Sequence, residues 1–100
     1  MTANLAKHAV EASEDAVKKS LRGDGLAARS WDDKPGALYS WHSHDYKKVL
    51  YCVEGRITFH THDGDIEMEP GDRLDLEPAT EHAATVGPDG VTCFEAWVLD

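Results

Sequence analysis

Apolar positions along the chain follow two different periods. Near the start, Val17 and Leu21 stand four residues apart among charged neighbours, the interval that puts two side chains on one helical face. Ser13 precedes them with Glu14 and Asp15 behind it, offering a hydroxyl for the free N–H groups of a first turn and acids for its positive end. Lys18, Lys19 and Arg22 suit the opposite end and Gly23 can close it, so the spacing predicts a short helix that acts as a lid or edge cover. Residues 1–12 fit either a helix or an extended arm. From Leu26 onward the apolar runs shorten and are broken by turn chemistry at Lys34-Pro35-Gly36, Glu54-Gly55, Asp63-Gly64-Asp65, Glu69-Pro70-Gly71-Asp72, Pro78-Ala79 and Gly87-Pro88-Asp89-Gly90. That succession predicts an all-β sandwich or small barrel over residues 26–100, preceded by an arm and short helix in residues 1–25.

One predicted strand is apolar on both sides. Leu50 and Cys52 point one way while Val49, Tyr51 and Val53 point the other, so the strand needs cover outside the barrel as well as within. Either the N-terminal helix or a second subunit can supply it, and a homodimer is the expected arrangement. Cys52 and Cys93 both lie in apolar, β-rich runs and are expected as reduced, buried thiols.

Charge narrows the classes of partner. Ten Lys plus Arg against 19 Asp plus Glu give a net charge of −9, which disfavours a nucleic-acid surface. Lys18-Lys19 and Lys47-Lys48 are isolated pairs, not a basic stripe. No apolar run reaches bilayer length, and Met1 to Lys7 lacks the layout of a signal peptide, so a cytoplasmic location without membrane contact is expected.

Candidate chemistry sits on the histidines. His42 and His44 are two apart, a spacing that in a strand puts both imidazoles on one face, and His82 follows the Pro78-Ala79-Thr80 turn at the start of another strand. His60 and His62 repeat the spacing, but if Ile57 and Phe59 point into the core these two point away from it. With no CxxC pair, any metal must be held by histidines or carboxylates.

Residues 36–86 resemble the two motifs of the cupin superfamily. The first, G-x5-H-x-H-x3-E-x6-G, is met in register by Gly36, His42, His44 and Gly55, with Lys48 where the family has glutamate. The second, G-x5-P-x-G-x2-H-x3-N, is met by Gly71 and His82, with Glu77, Ala79 and Val86 at its proline, glycine and asparagine. The resemblance implies a single cupin-type antiparallel β-barrel, or jelly-roll sandwich, with His42, His44 and His82 as ligands of a divalent transition metal. Iron or manganese is expected, with zinc, nickel or copper as alternatives.

Lys48 is the departure, since a protonated ammonium cannot coordinate. It is a candidate to hold a substrate carboxylate or an internal acid such as Glu95 or Asp75, or it marks a site that has lost its metal. Trp41, beside His42, is a candidate for the pocket wall. By resemblance the expected function is a metal-dependent dioxygenase acting on a small organic acid, enol or aromatic substrate; the alternative is a non-catalytic module that binds a small molecule or a metal. Asp63-x-Asp65-x-Glu67 is not a calcium loop, because Met68 and Leu74 occupy positions that require glycine and glutamate. The G-x-S-x-G, G-x4-G-K-[ST] and G-x-G-x2-G signatures are absent.

Overall fold

A computed structural model describes residues 2–99 of the chain. Its elements run β1 (Ala3–Ala6), α1 (Glu14–Gly23), β2 (Arg29–Asp33), β3 (Leu38–His42), β4 (Lys47–Thr61), β5 (Gly64–Met68), β6 (Arg73–Leu76) and β7 (His82–Val98). All strand pairs are antiparallel, and β4 and β7 form the long central ladder. The first half of β4 also pairs with β6, and β6 with β1; the second half pairs with β5. On its other side β7 pairs with β3 near its start and with β2 near its end. The result is the expected antiparallel jelly-roll barrel with one short helix.

Two of the anticipated turns lie inside strands. Glu54-Gly55 does not reverse the chain: the β4/β7 register shifts between Cys52 and Glu54 and again between Gly55 and Ile57, where Val91 and Val86 are the successive partners. Gly87-Pro88-Asp89-Gly90 therefore forms a bulge in β7 opposite Arg56, not a hairpin. The chemistry that permits a tight turn also permits a bulge, because both need a residue free to adopt positive φ. At Gly55, with φ of 74°, an added Cβ would stand 1.9 Å from the Gly90 carbonyl oxygen, so no side chain fits at this corner.

The alternation of β4 separates two cores. Leu50 and Cys52 pack inward with Ile57, Phe59, Met68, Leu74, Val86 and Cys93. Val49 and Tyr51 pack outward with Phe94, Ala96 and the helix residues Val17 and Leu21. The outer face of the two-sided strand is thus covered by α1 of the same chain, and this cover needs no second copy. Ser13 caps the helix by accepting a hydrogen bond from the Ala16 N–H at 3.1 Å. Gly23 is the last helical residue, and Gly25, at φ of 76°, makes the left-handed exit.

The arm preceding the helix joins the sheet. Residues 3–6 pair with β6, and Asp72, fully buried, fastens the segment that follows. Its carboxylate accepts from the His8 N–H at 2.9 Å, the Glu69 N–H at 2.8 Å and the Lys7 ammonium. Burial works to raise the Asp72 pKa, but these three donors outweigh it and hold the carboxyl below its usual range. Cys52 and Cys93 are reduced, buried and directly opposite each other on β4 and β7. Among the described residues no helix is long and apolar enough to cross a membrane.

Candidate metal centre

Three elements bring His42, His44 and His82 together at one end of the barrel. His42 ends β3 and His82 begins β7, and the two are register partners in that ladder. His44 lies beyond the strand, in the β3–β4 connection, so strand alternation alone does not place it. A cross-loop hydrogen bond does: the Ala79 N–H donates to the His44 carbonyl at 2.7 Å, tying this connection to the turn before β7. Ala79 has φ of 65°, a left-handed conformation that a glycine adopts without strain. It occupies the glycine position of the second motif, so the backbone keeps the motif's geometry with a less suitable residue.

Hydrogen bonding fixes the tautomers of two rings. His82 Nδ1 lies 2.8 Å from the Thr80 carbonyl oxygen and His42 Nδ1 lies 2.7 Å from that of Ser40. A carbonyl only accepts, so each Nδ1 carries the proton and each Nε2 presents a lone pair. The His44 Nε2 is buried and has no hydrogen-bond partner among the described residues. Ring centroids stand 4.3 Å apart for His42 and His82, 4.9 Å for His42 and His44, and 5.4 Å for His44 and His82. One ligand nitrogen from each ring can be chosen so that all three lie within 4.8 Å of one another. Small side-chain rotations would bring them to the roughly 3 Å separations of nitrogens on a single ion.

Electrostatics lower the proton affinity of His82 and His44. Burial is the main cause that pushes the His82 pKa below 6.5; the hydrogen bond with Thr80 opposes it, and His42 and Lys48 add to the lowering. His44 is lowered by burial first and then by Lys48, His42 and His82. Neutral imidazoles with free lone pairs are the state a transition metal requires. The buried His44 Nε2 has no protein partner, and a set of three imidazoles fits a divalent transition metal.

Beside the histidines the barrel opens into a pocket of about 520 Å³ whose wall includes His42, His82, Lys48, Glu95, Trp31 and Phe59. Lys48 projects inward from β4 on the same face as Leu50, and its Nζ lies 3.6 Å from Glu95 Oε1, with only 15% and 12% of the two side chains exposed. Of the internal acids considered, Glu95 is the partner; Asp75 is instead engaged by Arg73 at 2.7 Å and Lys47 at 3.4 Å. Tyr39 also lines the cavity, but burial and its bond to Asp33 push its pKa up to about 12, so it stays a neutral phenol.

Trp41 does not line this cavity. It is 51% exposed, outside the barrel, with its ring stacked on His62 at 4.8 Å. The alternation that sends His42 inward sends its neighbour outward, and Trp31 on β2 is the tryptophan in the wall. That residue is the register partner of Cys93, an inward position that depends on a long-range pairing and carries no local sequence signal. His60 and His62 also stay outside the cluster. His60 bonds to Asp65 at 2.7 Å and Thr85 at 2.9 Å, and His62 to Glu81 at 2.8 Å.

Comparison with known proteins agrees with this architecture. A family profile described as a cupin domain matches residues 30–94, more than half of the chain. Among solved structures, one described as crystal structures of the DMSP lyases RdDddP and RnDddQII is 29% identical over 72% of this chain and 37% of its own, with a TM-score of 0.66. An RmlC-like cupin from Shewanella frigidimarina NCIMB 400 is 25% identical over 72% of this chain and 64% of its own, with a TM-score of 0.63. KdgF from Halomonas sp. is 22% identical over 75% and 71%, with a TM-score of 0.62, a likeness of fold. The chain thus spans less than two thirds of the first two of these structures, and no curated protein matches it.

Proposed function

The chain belongs to the cupin family, and from that premise we propose that it is a metal-binding cupin that uses His42, His44 and His82 to act as an oxygenase on a small organic acid, enol or aromatic substrate. The observation that carries the proposal is the clustering of one ligand nitrogen from each of the three imidazoles within 4.8 Å, with the His44 Nε2 buried and unpartnered and the His42 and His82 Nδ1 atoms turned to backbone carbonyls. Bound there, a divalent ion would keep its full charge against three neutral ligands, polarise an oxygen ligand and leave positions open for substrate. Iron or manganese suits that chemistry, and imidazole ligands also accept zinc, nickel or copper.

The chain's own residues would do the rest. Leu50, Ile57 and Phe59 line the cavity and exclude water from a ligand held against the histidines. His82, 3% exposed and tied to the Thr80 carbonyl, is the rigid member of the set. His42 stands at the exposed end, where a ligand enters.

A second reading is supported by Lys48, which stands at the family's glutamate position and adds positive charge beside the histidines. On this reading the barrel is a non-catalytic module that binds a small molecule. Metal analysis of protein purified without a histidine tag separates the two, followed by oxygen uptake with catechols, diketones and thiols. DMSP should be tested separately for cleavage without oxygen uptake, because one similar structure is described as a DMSP lyase. Stoichiometric metal that is lost in His42→Ala and His82→Ala, with substrate-dependent oxygen uptake, supports the oxygenase; native protein that is metal-free and binds a ligand supports the module.

A further inference from the structure

Lys48 has the least exposed side chain of the lysines and arginines in the ion pairs of the described residues. Its ammonium has three donors and a side chain only 15% exposed, yet its nearest carboxylate oxygen is 3.6 Å away and Nζ makes no hydrogen bond among the described residues. Lys7, by contrast, bonds to both Glu69 and Asp72. A largely buried ammonium whose paired anion stands beyond hydrogen-bond distance has donor capacity left for a ligand.

Glu95 is held back from Lys48 by another partner. Its Oε2 accepts from the Trp97 indole N–H at 2.8 Å, and the Trp97 ring is itself covered by the Arg29 guanidinium at 4.5 Å. A second unused donor lies in the same wall: Trp31 lines the cavity, and its indole Nε1 is buried without a partner. The cavity wall thus holds one ammonium with spare bonding capacity, Lys48 on β4, together with the His42 and His82 imidazoles, and the buried, unpartnered indole N–H of Trp31 lies within that wall.

We propose that Lys48 is a specificity-determining residue that binds the carboxylate of an organic-acid ligand, with Glu95 as the internal anion that the ligand displaces. This deepens the metal-centre reading and rests on it to the extent that the rest of the ligand faces the three histidines. It explains why the departure from the family motif replaces an acid by a base: the barrel recognises an anion at the position from which the family coordinates metal. A neutral ligand of the same shape would leave the ammonium unpaired, so discrimination against it should be strong.

Calorimetric titration of the intact protein, metal-free and metal-loaded, with malonate and with its neutral analogue malonamide tests this. Wild type should prefer malonate by about tenfold or more, as expected for a hydrogen bond to a charged group. In the metal-free protein Lys48→Met should abolish the preference, Lys48→Arg should retain it, and Glu95→Gln should tighten malonate binding severalfold by removing the competing anion. Thermal melts of each variant establish that it is folded. Equal binding of the two probes by wild type, an unchanged preference in folded, metal-free Lys48→Met, or weaker malonate binding in metal-free Glu95→Gln would each overturn the proposal. If malonate is preferred but no metal binds, the metal-centre reading fails and the Lys48 site stands; metal binding without acid preference gives the reverse.

Discussion

His42 and His44 share their His-x-His spacing with His60 and His62, yet the first pair meets His82 inside the barrel mouth and the second pair bonds to surface groups. Spacing decides only that two rings share a face. Which face it is depends on their neighbours: Ile57 and Phe59 fill the core and turn His60 outward, whereas Trp41 lies outside and leaves His42 facing in. The partners then diverge. The inner rings of His42 and His82 give their protons to backbone carbonyls and keep lone pairs free; His60 and His62 engage Asp65 and Glu81, whose carboxylates satisfy them where they stand.

The comparison can be broken or sharpened by mutation. Its largest expected effect is on metal affinity: His82→Ala should weaken binding by at least about a hundredfold, while His62→Ala should leave it unchanged in equilibrium dialysis. Comparable losses in the two variants would dissolve the distinction between the pairs. A lesion remote from both pairs separates loss of a ligand from loss of the fold. Asp72→Asn should lower stability by about 2 kcal/mol in denaturant unfolding, since it weakens a buried three-donor site, without changing metal affinity.

The same residue sets an acid limit. The Asp72 carboxyl is held below its ordinary value of 3.8 in the folded chain, so its contribution is full above 3.8 and is lost as pH falls through the lower folded value. Wild type should therefore lose stability in this acidic window more steeply than Asp72→Asn, as followed by circular dichroism.

A smaller effect tests the motif's missing carboxylate. Lys48→Glu removes a positive charge beside the histidines and restores an oxygen donor, and should tighten metal binding by about tenfold. Unchanged affinity would show that position 48 lies out of reach of the ion. The smallest effect concerns how His44 is held. Ala79→Gly relieves a left-handed backbone residue and should stabilise the protein by roughly 0.5–1 kcal/mol, offset in part by the flexibility that glycine adds to the unfolded chain.

These contrasts also mark what could be read from residues alone. The two-sided strand, the Ser13 cap and the outward turn of His60 and His62 follow from local alternation and capping chemistry, and the grouping of His42, His44 and His82 from the resemblance to the family's motifs. The cover over Val49 and Tyr51 was ambiguous because burial demands an apolar partner without specifying its source; α1 meets that demand. Glu54-Gly55 and Gly87-Pro88-Asp89-Gly90 carry turn signals, but whether a positive-φ glycine reverses a strand or bulges it depends on the partner across the ladder. Trp31 could not be chosen over Trp41 for the cavity wall, because its inward position is set by pairing with Cys93, 62 positions away in the chain. His44 likewise owes its place to a hydrogen bond from Ala79, not to strand parity.

The most direct test of the account is the metal content of three tag-free proteins loaded with the same ion and dialysed: wild type, His82→Ala and the double variant His60→Ala/His62→Ala. The account predicts about one ion per chain in wild type and in the double variant, and almost none in His82→Ala. Full occupancy in folded His82→Ala, or its loss in the double variant, would contradict it.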